Sequence, residues 1–421
     1  MPVLPATRND VRHGHGHETL RRVSAADRRA RVLFLDLLRR HLASGAIEFV
    51  ADGASEIVGC VSNGQADVTV AVHHPRLFRR MLAAGNLGLA EAYMDGDFEV
   101  VHGTLATFLS FLLASRLDER IRLDPAAAAR VLTIRWVDRL RGKAGRVKAH
   151  YDRGDDLFEL FLDPSLTYSC GYATSPDDDL ERLQQQKLDR ICRKLRLEAG
   201  QRLLDIGCGY GGLLAYASRV HGVRGTGITN SRAHFERATK VMRDSGLDDR
   251  VTIVLGDYQE VTGPFDRIVS VGMMEHVPPR EYSAYIGTIA GALSRDGLGL
   301  IHTIGCNGPN NAHDPFIQRY IFPGSGQPRL SEIAAALERH RLLIVDVENI
   351  VRHYGHTVVR WLENFRANVH RLDREKYDRR FVRMWEYYLS CGIAAAAWSD
   401  SAVYQVLFMK DAGGFMPLQR V

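Results

Sequence analysis

Closely spaced glycines follow a short apolar run near the middle of the 421-residue chain. The segment reads Arg202-Leu-Leu-Asp-Ile-Gly-Cys-Gly-Tyr-Gly-Gly212, after which apolar residues resume at helical spacing from Leu213. This order predicts a strand, a tight turn and a helix, which together present backbone N–H groups and a helix N-terminus to a ligand. Because glycine carries no Cβ, the turn lets the backbone approach a bulky cofactor. We predict a cofactor site here, with an ordinary strand–helix turn as the alternative.

The spacing of the glycines limits which cofactor this turn binds. Dinucleotide sites have the pattern Gly-x-Gly-x-x-Gly and an acidic residue about 20 residues further on, whereas Gly207, Gly209 and Gly211 alternate. A phosphate-binding loop would place Lys and Ser or Thr after the last glycine, and two leucines follow here. Asp205 just before Gly-x-Gly-x-Gly is the usual pattern of S-adenosylmethionine methyltransferases. The pattern favours that cofactor, although the second strand ends at Thr229 without the usual ribose-binding carboxylate.

Strands and helices alternate around the turn from residue 151 onward. Helical segments separate the first five predicted strands, and an inserted helix is expected at 373–397. We therefore predict an α/β fold with a doubly wound, mostly parallel, seven-stranded Rossmann-like methyltransferase sheet. Its strands are predicted at 202–206, 223–228, 251–255, 266–271, 298–303, 342–350 and 404–410.

The N-terminal part has a different pattern. Apolar residues recur at helical spacing between arginines over 25–44, and short β-prone runs alternate over 46–73. This predicts a basic amphipathic helix and a small sheet. The chain then divides into a disordered leader at 1–25, a smaller α+β lipid-associated or membrane-associated domain at 26–120, a basic connector at 121–150 and a catalytic domain at 151–421.

Charge and cysteine content narrow the function classes. The net charge of +5 does not call for nucleic acid, yet the first forty residues hold nine arginines against four acidic residues. Such a face suits anionic lipid headgroups, with a solvated helix face as the alternative. The six cysteines lack zinc-ligand spacing, so we predict no metal site and a reducing compartment. The longest uncharged stretch, 100–115, is shorter than the ~20 residues that span a bilayer. We expect a cytoplasmic protein, peripheral on the inner face of the membrane.

A series of short motifs runs from about residue 147 to the C-terminus. It comprises His150-Tyr-Asp152, Phe161-Leu-Asp-Pro164, Thr167-Tyr-Ser-Cys-Gly-Tyr172, the glycine turn, Gly227-Ile-Thr229, Glu275-His-Val277, His302-Thr-Ile-Gly305, Tyr320-Ile-Phe-Pro-Gly324, His353-Tyr354, Trp361 and Met384-Trp-x-Tyr-Tyr-Leu-x-Cys391. In this order the motifs resemble the cyclopropane-fatty-acyl-phospholipid synthase and mycolic acid cyclopropane synthase family. The segment at 88–96 also resembles the extra domain of the phospholipid-acting branch.

The resemblance implies a reaction on the cis double bond of unsaturated acyl chains in membrane phospholipids. S-adenosylmethionine would donate a methyl group, and a bound bicarbonate would remove a proton from it so that a cyclopropane ring closes. The bicarbonate pocket maps onto Cys170 and Ile304, largely through backbone, and onto Glu275, His302 and Tyr354. Cys391 stands where the family has a cysteine once favoured as catalytic, although a thiolate has no evident task in this mechanism.

The residue types of the implied pocket fit their roles. Imidazole, phenol and backbone N–H groups hold an anion, and a carboxyl group orients the histidine or shares a proton. The rings of Tyr354, Trp361 and Tyr388 would favour a transient cation and exclude water. The implied cofactor residues, among which His234 replaces the glutamine that relatives tend to have, are Tyr168, Ser169, Asp205, Gly207, Cys208, Gly209, Gly211, Thr229, Asn230, Ser231, His234, Asp257 and Tyr258.

Three alternatives stay open at the level of sequence. The same methyl transfer could give a methylene- or methyl-branched chain, because the first step does not fix how the cation is resolved. The fold is also used by small-molecule N-methyltransferases, including plant alkaloid enzymes. A third alternative is a non-enzymatic module that binds lipid or nucleic acid. Relatives that act on phospholipids can dimerise, so a homodimer is a further expectation.

Overall fold

The computed structural model describes residues 24–61, 64–141, 154–308 and 313–410. The chain forms two compact units. The N-terminal unit contains Met1–Asp152, Asp314–Ile321 and Leu372–Ser399, and the C-terminal unit contains the remaining residues. The predicted leader at 1–25 lies outside the described residues except for Ser24 and Ala25, which cap and begin the first helix.

A small mixed sheet with flanking helices forms the N-terminal unit. Its elements are α1 (Ala25–His41), β1 (Ala46–Ala51), β2 (Ala54–Gly59), β3 (Val68–Val72), α2 (Arg76–Met94), β4 (Phe98–His102), α3 (Leu105–Ala114), α4 (Leu117–Leu123), α5 (Pro125–Arg141) and, from later in the chain, α13 (Arg379–Trp398). The strand order is β2-β1-β3-β4, in which β1 and β3 are parallel and the other pairs antiparallel. Buried phenylalanine rings fill its core in edge or tilted contact: Phe34, Phe49, Phe78, Phe98 and Phe108.

The inserted helix predicted at 373–397 is α13, and it belongs to the N-terminal unit. It packs against α2 and α3, where the ring of Tyr387 lies 5.9 Å from that of Tyr93. The sequence placed this helix in the segment 151–421 because it is contiguous with the catalytic strands. The predicted connector at 121–150 is helical to Arg141, and its remainder lies outside the described residues.

A seven-stranded sheet organises the C-terminal unit. Its elements are α6 (Asp155–Phe161), α7 (Leu180–Lys194), β5 (Arg202–Ile206), α8 (Gly212–His221), β6 (Arg224–Thr229), α9 (Arg232–Asp244), β7 (Val251–Leu255), β8 (Phe265–Val271), α10 (Tyr282–Ala292), β9 (Leu293–Cys306), α11 (Leu330–Arg339), β10 (Leu343–Asn349), α12 (Val351–Asn368) and β11 (Ser401–Met409). The strand order is β10-β11-β9-β8-β5-β6-β7. Strand β11 is antiparallel to both neighbours, and the other pairs are parallel. The predicted doubly wound sheet is confirmed.

Helices cover both faces of this sheet. Apolar residues of α10 and α11 pack on one face, and those of α7 and α8 pack on the other. Because β5 to β9 are parallel, their carboxyl ends share one edge of the sheet, where ligands of such folds bind. No helix in the described ranges is long and apolar enough to cross a bilayer.

Candidate active site

The glycine turn lies at the carboxyl end of β5 and leads directly into α8. Gly207, Gly209 and Gly211 have φ values of 78°, 52° and 82°, a region that side-chain-bearing residues rarely adopt. A Cβ on Gly211 would lie 2.6 Å from Cε of Met242, whereas one on Gly209 would meet no heavy atom within 4 Å. The turn is therefore closely packed on one side and open on the other. The N–H groups of Gly207 and of buried Cys208 both donate to the carbonyl of Ile228, which fixes the turn.

A buried pair of opposite charges lies beneath the turn. Asp205 is buried and, among the described residues, its Oδ1 has no hydrogen-bond partner. Burial raises the pKa of Asp205 to about 7, and the charge of Lys187 opposes that shift. Lys187 is also buried; burial lowers its pKa to about 8, opposed by Asp163, Cys170 and Asp205. Its Nζ donates a hydrogen bond to Oγ of Ser169 over 3.0 Å. Lys187 thus connects the predicted cofactor-binding segment around Ser169 to helix α7.

The next two parallel strands end in capped turns at the same edge. Thr229 ends β6, and its Oγ1 accepts a hydrogen bond from the N–H of Ser231 over 3.2 Å. Ser231 caps α9, and Asn230 between them is exposed. Asp257 follows β7 and caps a single 3-10 turn, leaving its exposed carboxylate at the edge of the sheet. These residues are close in the fold because the parallel strands end together.

Two of the predicted cofactor-binding residues, His234 and Tyr258, pack against aromatic rings. The ring of His234 lies 4.7 Å from that of Tyr210, and burial lowers the pKa of this imidazole. The ring of Tyr258 lies 5.2 Å from that of Tyr285. Their orientation is therefore set by packing within the C-terminal unit.

An aromatic cluster connects the segment before α7 with α12. The ring of Tyr168 lies 5.2 Å from that of Phe158, 5.9 Å from that of Phe161 and 5.0 Å from that of Trp361. Trp361 is in turn 6.0 Å from Tyr354, so two of the three predicted ring-lining residues are neighbours. The third, Tyr388, belongs to the N-terminal unit.

Three residues of the predicted anion pocket form one compact cluster. Buried Cys170 packs with Ile304 and Tyr354 around Ile350 and Val403. The thiol of Cys170 lies 3.1 Å from the carbonyl oxygen of Gly171, and burial raises its pKa, so it stays protonated. A protonated thiol is consistent with the expectation that this residue acts through its backbone.

Glu275 lies in a 3-10 turn after β8 and is buried. Its Oε2 accepts from Oγ1 of Thr303 over 2.7 Å, and its Oε1 accepts from the N–H of Ile304 over 3.4 Å. Burial raises the pKa of this carboxyl, which these hydrogen bonds oppose. The backbone amide of Ile304, predicted to hold an anion, is thus directed at Glu275.

His302 is buried on β9, on the same face of the strand as the side chain of Ile304. Its Nδ1 lies 3.3 Å from Nε2 of Gln405, the residue opposite it on β11. Burial lowers the pKa of His302 to about 3, and the charges of Lys187 and Lys194 add to the effect. The imidazole is therefore neutral near pH 7.

Cys391 lies on α13, which belongs to the N-terminal unit. Nδ2 of Asn86 lies 3.7 Å from its sulfur. Burial, with the charge of Asp314, raises the pKa of Cys391 to about 12. The thiol is therefore protonated near pH 7.

Sequence reasoning missed four polar residues that hold the site. Lys187 and Lys194 fall on the buried stripe of α7, in phase with Leu183 and Ile191, where apolar residues are expected. Gln405 interrupts the buried run of β11, and Thr303 does the same on β9. The signal available in the sequence was a polar residue at a position where the periodicity of the helix or strand predicts an apolar one.

Comparison with known proteins gives a consistent result. The family model described as mycolic acid cyclopropane synthetase matches residues 139–406. The chain is 38% identical to the cyclopropane-fatty-acyl-phospholipid synthase of Escherichia coli strain K12, covering 84% of this chain and 90% of that protein. It is 32% identical to a probable fatty acid methyltransferase of Pseudomonas putida, over 82% and 87% of the two chains.

A solved structure is similar as well. The mycolic acid cyclopropane synthase CmaA1, crystallised with SAH and CTAB, superposes with a TM-score of 0.57 and 28% identity. The superposition covers 63% of this chain and 97% of that one.

Proposed function

Since the chain belongs to the mycolic acid cyclopropane synthetase family, we propose that it transfers a methylene group from S-adenosylmethionine across the cis double bond of unsaturated acyl chains in membrane phospholipids. The enzyme is an S-adenosylmethionine-dependent methyltransferase. The observation that carries the substrate is the 38% identity to a cyclopropane-fatty-acyl-phospholipid synthase, which extends over 84% of this chain and so includes most of the N-terminal unit.

The residues at the edge of the sheet fit the cofactor. S-adenosylmethionine supplies an electrophilic methyl group when bound. The open side of Gly209 leaves room for a ligand against the backbone, and the buried Oδ1 of Asp205 has no hydrogen-bond partner among the described residues. The carboxylate of Asp257, which follows β7, provides a hydrogen-bond acceptor for the cofactor. Strand β6 ends at Thr229 without a carboxylate that could do so. Around these, the side chains of Tyr168, Thr229 and the other predicted cofactor residues complete the site.

Bicarbonate as the base is the finer part of the proposal. When bound, bicarbonate would accept the proton that must leave the transferred methyl group. Neutral His302 would donate a hydrogen bond to it, and Glu275, whose pKa is raised by burial, would share a proton with it. The phenol of Tyr354 and the backbone at Cys170 would complete the pocket, and Ile304 would act through Glu275. The pocket would thus hold an anion without placing a permanent positive charge beside the alkene.

The aromatic cluster has a task in this reaction. Alkylating an alkene leaves a carbocation, which water would trap as an alcohol. The adjacent rings of Trp361 and Tyr354 present π faces that stabilise a cation and exclude water. We propose that the acyl chain binds against these rings.

Peripheral membrane contact, at the cytoplasmic face, completes the proposal. On α5, Pro125, Ala129, Leu132 and Trp136 recur on the side opposite buried Val131. Leu132 is 60% and Trp136 64% exposed, an uncommon placement for large apolar side chains. An exposed apolar stripe on a helix is suited to the interface of a bilayer.

Charge supports a lipid partner for that stripe. Arg130 and Arg135 are exposed on the same helix as the stripe. The arginines of α1, predicted to contact lipid, are instead partly neutralised: Arg31 and Arg39 both pair with Glu56. We therefore favour α5 over α1 as the contact with anionic lipid. A homodimer stays part of the proposal, without a surface assigned to it.

Product analysis tests the reaction. Purified protein is incubated with vesicles of oleoyl phospholipid and labelled S-adenosylmethionine, and the fatty acid methyl esters are examined. The expected result is a gain of one CH2 with loss of the olefinic signal, and vesicles of saturated phospholipid serve as the matched control. An unchanged oleoyl chain would contradict the proposal.

A methylene- or methyl-branched product is the second candidate, favoured by the 32% identity to a probable fatty acid methyltransferase. Proton NMR of the product separates the two, because cyclopropane protons resonate upfield and exocyclic methylene protons do not. A cyclopropane signal supports the first candidate.

A further inference from the structure

A chain of buried polar side chains leads away from His302 on its Nδ1 side. Nδ1 lies 3.3 Å from Nε2 of Gln405, and Oε1 of Gln405 lies 2.8 Å from Nζ of Lys194. Nζ of Lys194 also lies 2.6 Å from Oε2 of Glu348, which Arg190 binds over 2.9 and 3.0 Å. The proposed function gives no role to Gln405, Lys194 or Glu348. A buried network of this kind is costly unless each member is satisfied.

The chemistry of the donors and acceptors fixes the direction of this chain. An ammonium group only donates, so the atom of Gln405 that faces Lys194 must be its carbonyl oxygen. The amide nitrogen of Gln405 then faces His302, and an amide nitrogen also only donates. Nδ1 of His302 must therefore be the unprotonated, accepting nitrogen. A neutral imidazole of this kind carries its proton on Nε2.

The far end of the chain keeps Lys194 charged. Burial opposes ionisation of Glu348, but the hydrogen bonds from Arg190 and Lys194 hold the pKa of this carboxyl below its usual value. Burial lowers the pKa of Lys194, and Glu348 and Asp346 oppose that change. Lys194 is thus a buried ammonium group beside the carboxylates of Glu348 and Asp346. The positive charges of Lys194 and of Lys187, on the same helix, both disfavour protonation of His302 to a cation.

We propose that Gln405 and Lys194 are positioning residues that fix His302 as the neutral tautomer with its proton on Nε2. In this state His302 donates a hydrogen bond from Nε2 and has no free nitrogen with which to take a proton. The base of the reaction must then be another group, which deepens the proposed role of a bound anion. The catalytic part of this inference rests on the proposed function, whereas the tautomer itself does not.

Nitrogen-15 NMR of the wild-type protein tests the tautomer directly. The protein is labelled at histidine, long-range proton–nitrogen correlations are recorded between pH 5 and 8, and His302→Asn assigns the signals by their loss. The expected pattern is a protonated Nε2 and an unprotonated Nδ1 that do not change across this range. A protonated Nδ1, or a titration within the range, would overturn the inference.

Two substitutions test the cause. In Gln405→Glu a carboxylate faces Nδ1, so the proton should move from Nε2 to Nδ1. We expect kcat to fall on the order of 100-fold, with a changed pH profile and little change in KM for S-adenosylmethionine, because the wrong tautomer removes the Nε2 donor. Lys194→Met should release the amide of Gln405 and mix the tautomers, whereas Lys194→Arg retains a donor and should rescue both the spectrum and kcat.

The outcomes separate this inference from the proposed function. If Gln405→Glu binds S-adenosylhomocysteine normally yet keeps the wild-type tautomer and pH profile, the positioning role is wrong. If the wild-type tautomer is as expected but His302→Asn still alkylates phospholipid at the wild-type rate, the proposed role of His302 in catalysis is wrong. The inference that Gln405 and Lys194 fix the tautomer of His302 would still hold. Should the Gln405 variant not fold, the wild-type spectrum and the Lys194 pair still decide the matter.

Discussion

Each unit of the molecule holds a cysteine among polar side chains, half-buried Cys391 in the N-terminal unit and buried Cys170 in the C-terminal unit, but the polar groups of the two clusters differ in how completely they are hydrogen-bonded. In the N-terminal unit, Asn86 bridges the cluster around Cys391: it donates to Oδ1 of Asp314 over 2.9 Å and accepts from the Tyr387 hydroxyl over 2.5 Å. In the C-terminal unit, Lys187 interacts electrostatically with both Cys170 and Asp205, and Oδ1 of Asp205 lacks a partner among the described residues.

Electrostatics sharpen the contrast. Among the groups that interact with Lys187, burial lowers the pKa of His302 to about 3 and raises that of Asp205 to about 7, and the pKa of Lys187 itself is lowered to about 8. Groups that are buried, perturbed and incompletely paired at the carboxyl ends of parallel strands are typical of ligand sites. The bridged cluster around Cys391 is typical of structural polar networks. A cysteine among polar side chains therefore does not by itself identify a catalytic centre.

Removing the imidazole from the C-terminal cluster should have the largest effect. His302→Ala is expected to lower kcat on the order of 100- to 1000-fold, because the donor to the bound anion is lost. Binding of S-adenosylhomocysteine, measured by calorimetry, should change little. His340→Ala is the matched control, since this histidine of the same unit contacts Ser283 outside the site. Normal turnover by His302→Ala would contradict the assigned role.

Removing the bridge from the N-terminal cluster should affect stability instead. Asn86→Ala leaves the buried hydroxyl of Tyr387 without its partner and removes one donor from half-buried Asp314, which keeps the N–H of Phe316, at a cost of about 2 kcal/mol in the free energy of unfolding. Ser55→Ala, which removes an exposed hydrogen bond to Glu48 in the same unit, should cost less than about 0.5 kcal/mol. Denaturant unfolding measures both. If Asn86→Ala proved as stable as the wild type, the cluster would not be structural.

The exposed stripe of the N-terminal unit offers a third contrast. Trp136→Ser should weaken binding to anionic vesicles about 10-fold, because a buried aromatic side chain contributes roughly 1.5–3 kcal/mol. Thr133→Ser, on a different side of the same helix, is the control. Vesicle sedimentation gives the affinities, and turnover of detergent-dispersed phospholipid should be unchanged. Equal vesicle binding by both variants would remove α5 from the proposal.

The pH dependence of stability should report the buried imidazole. The pKa of His302 is about 3 in the folded state and about 6.5 when unfolded. Below pH 6.5 the unfolded chain therefore binds the extra proton, so the stabilising contribution is present above pH 6.5 and is lost as pH falls towards 3. The difference between wild type and His302→Asn should change by about 1 kcal/mol per pH unit over that window. If the difference in free energy of unfolding between wild type and His302→Asn were the same at pH 5 and at pH 7, the prediction would be wrong.

Cys391→Ser should have the smallest effect. Serine keeps a hydrogen-bonding group beside Asn86, and the protonated thiol has no assigned chemical step. We expect kcat within about twofold of the wild type and a loss of at most about 1 kcal/mol in stability. A fall of more than tenfold in kcat, with the fold intact, would restore Cys391 as a catalytic residue.

The sequence predicted most of the sheet because the relevant signals are local. Five of the seven predicted strands agree with an observed strand to within one residue at each end. The exceptions are β9, which begins five residues earlier, at Leu293, and ends three later, at Cys306, and β11, which begins three residues earlier, at Ser401. The glycine turn was equally readable, since its φ values depend on residue type and not on distant partners. The N-terminal α+β pattern followed from the same periodicities.

Contacts between distant segments were not readable in this way. Helix α13 looked like part of the catalytic segment, and only the fold shows that it joins the N-terminal unit. The amide of Ile304 was expected to face an anion, and it is directed at Glu275 because the turn after β8 brings that carboxyl to β9.

The sequence by itself determined the sheet, the cofactor turn and the identity of the residues near it. Only the tertiary structure decided their protonation and direction: Lys187 beneath Asp205, and Lys194 with Gln405 beside His302. The reason is physical. Strand and turn signals arise from neighbours along the chain, whereas burial, charge and hydrogen-bond direction depend on residues brought together across the sheet, such as position 194 and position 405.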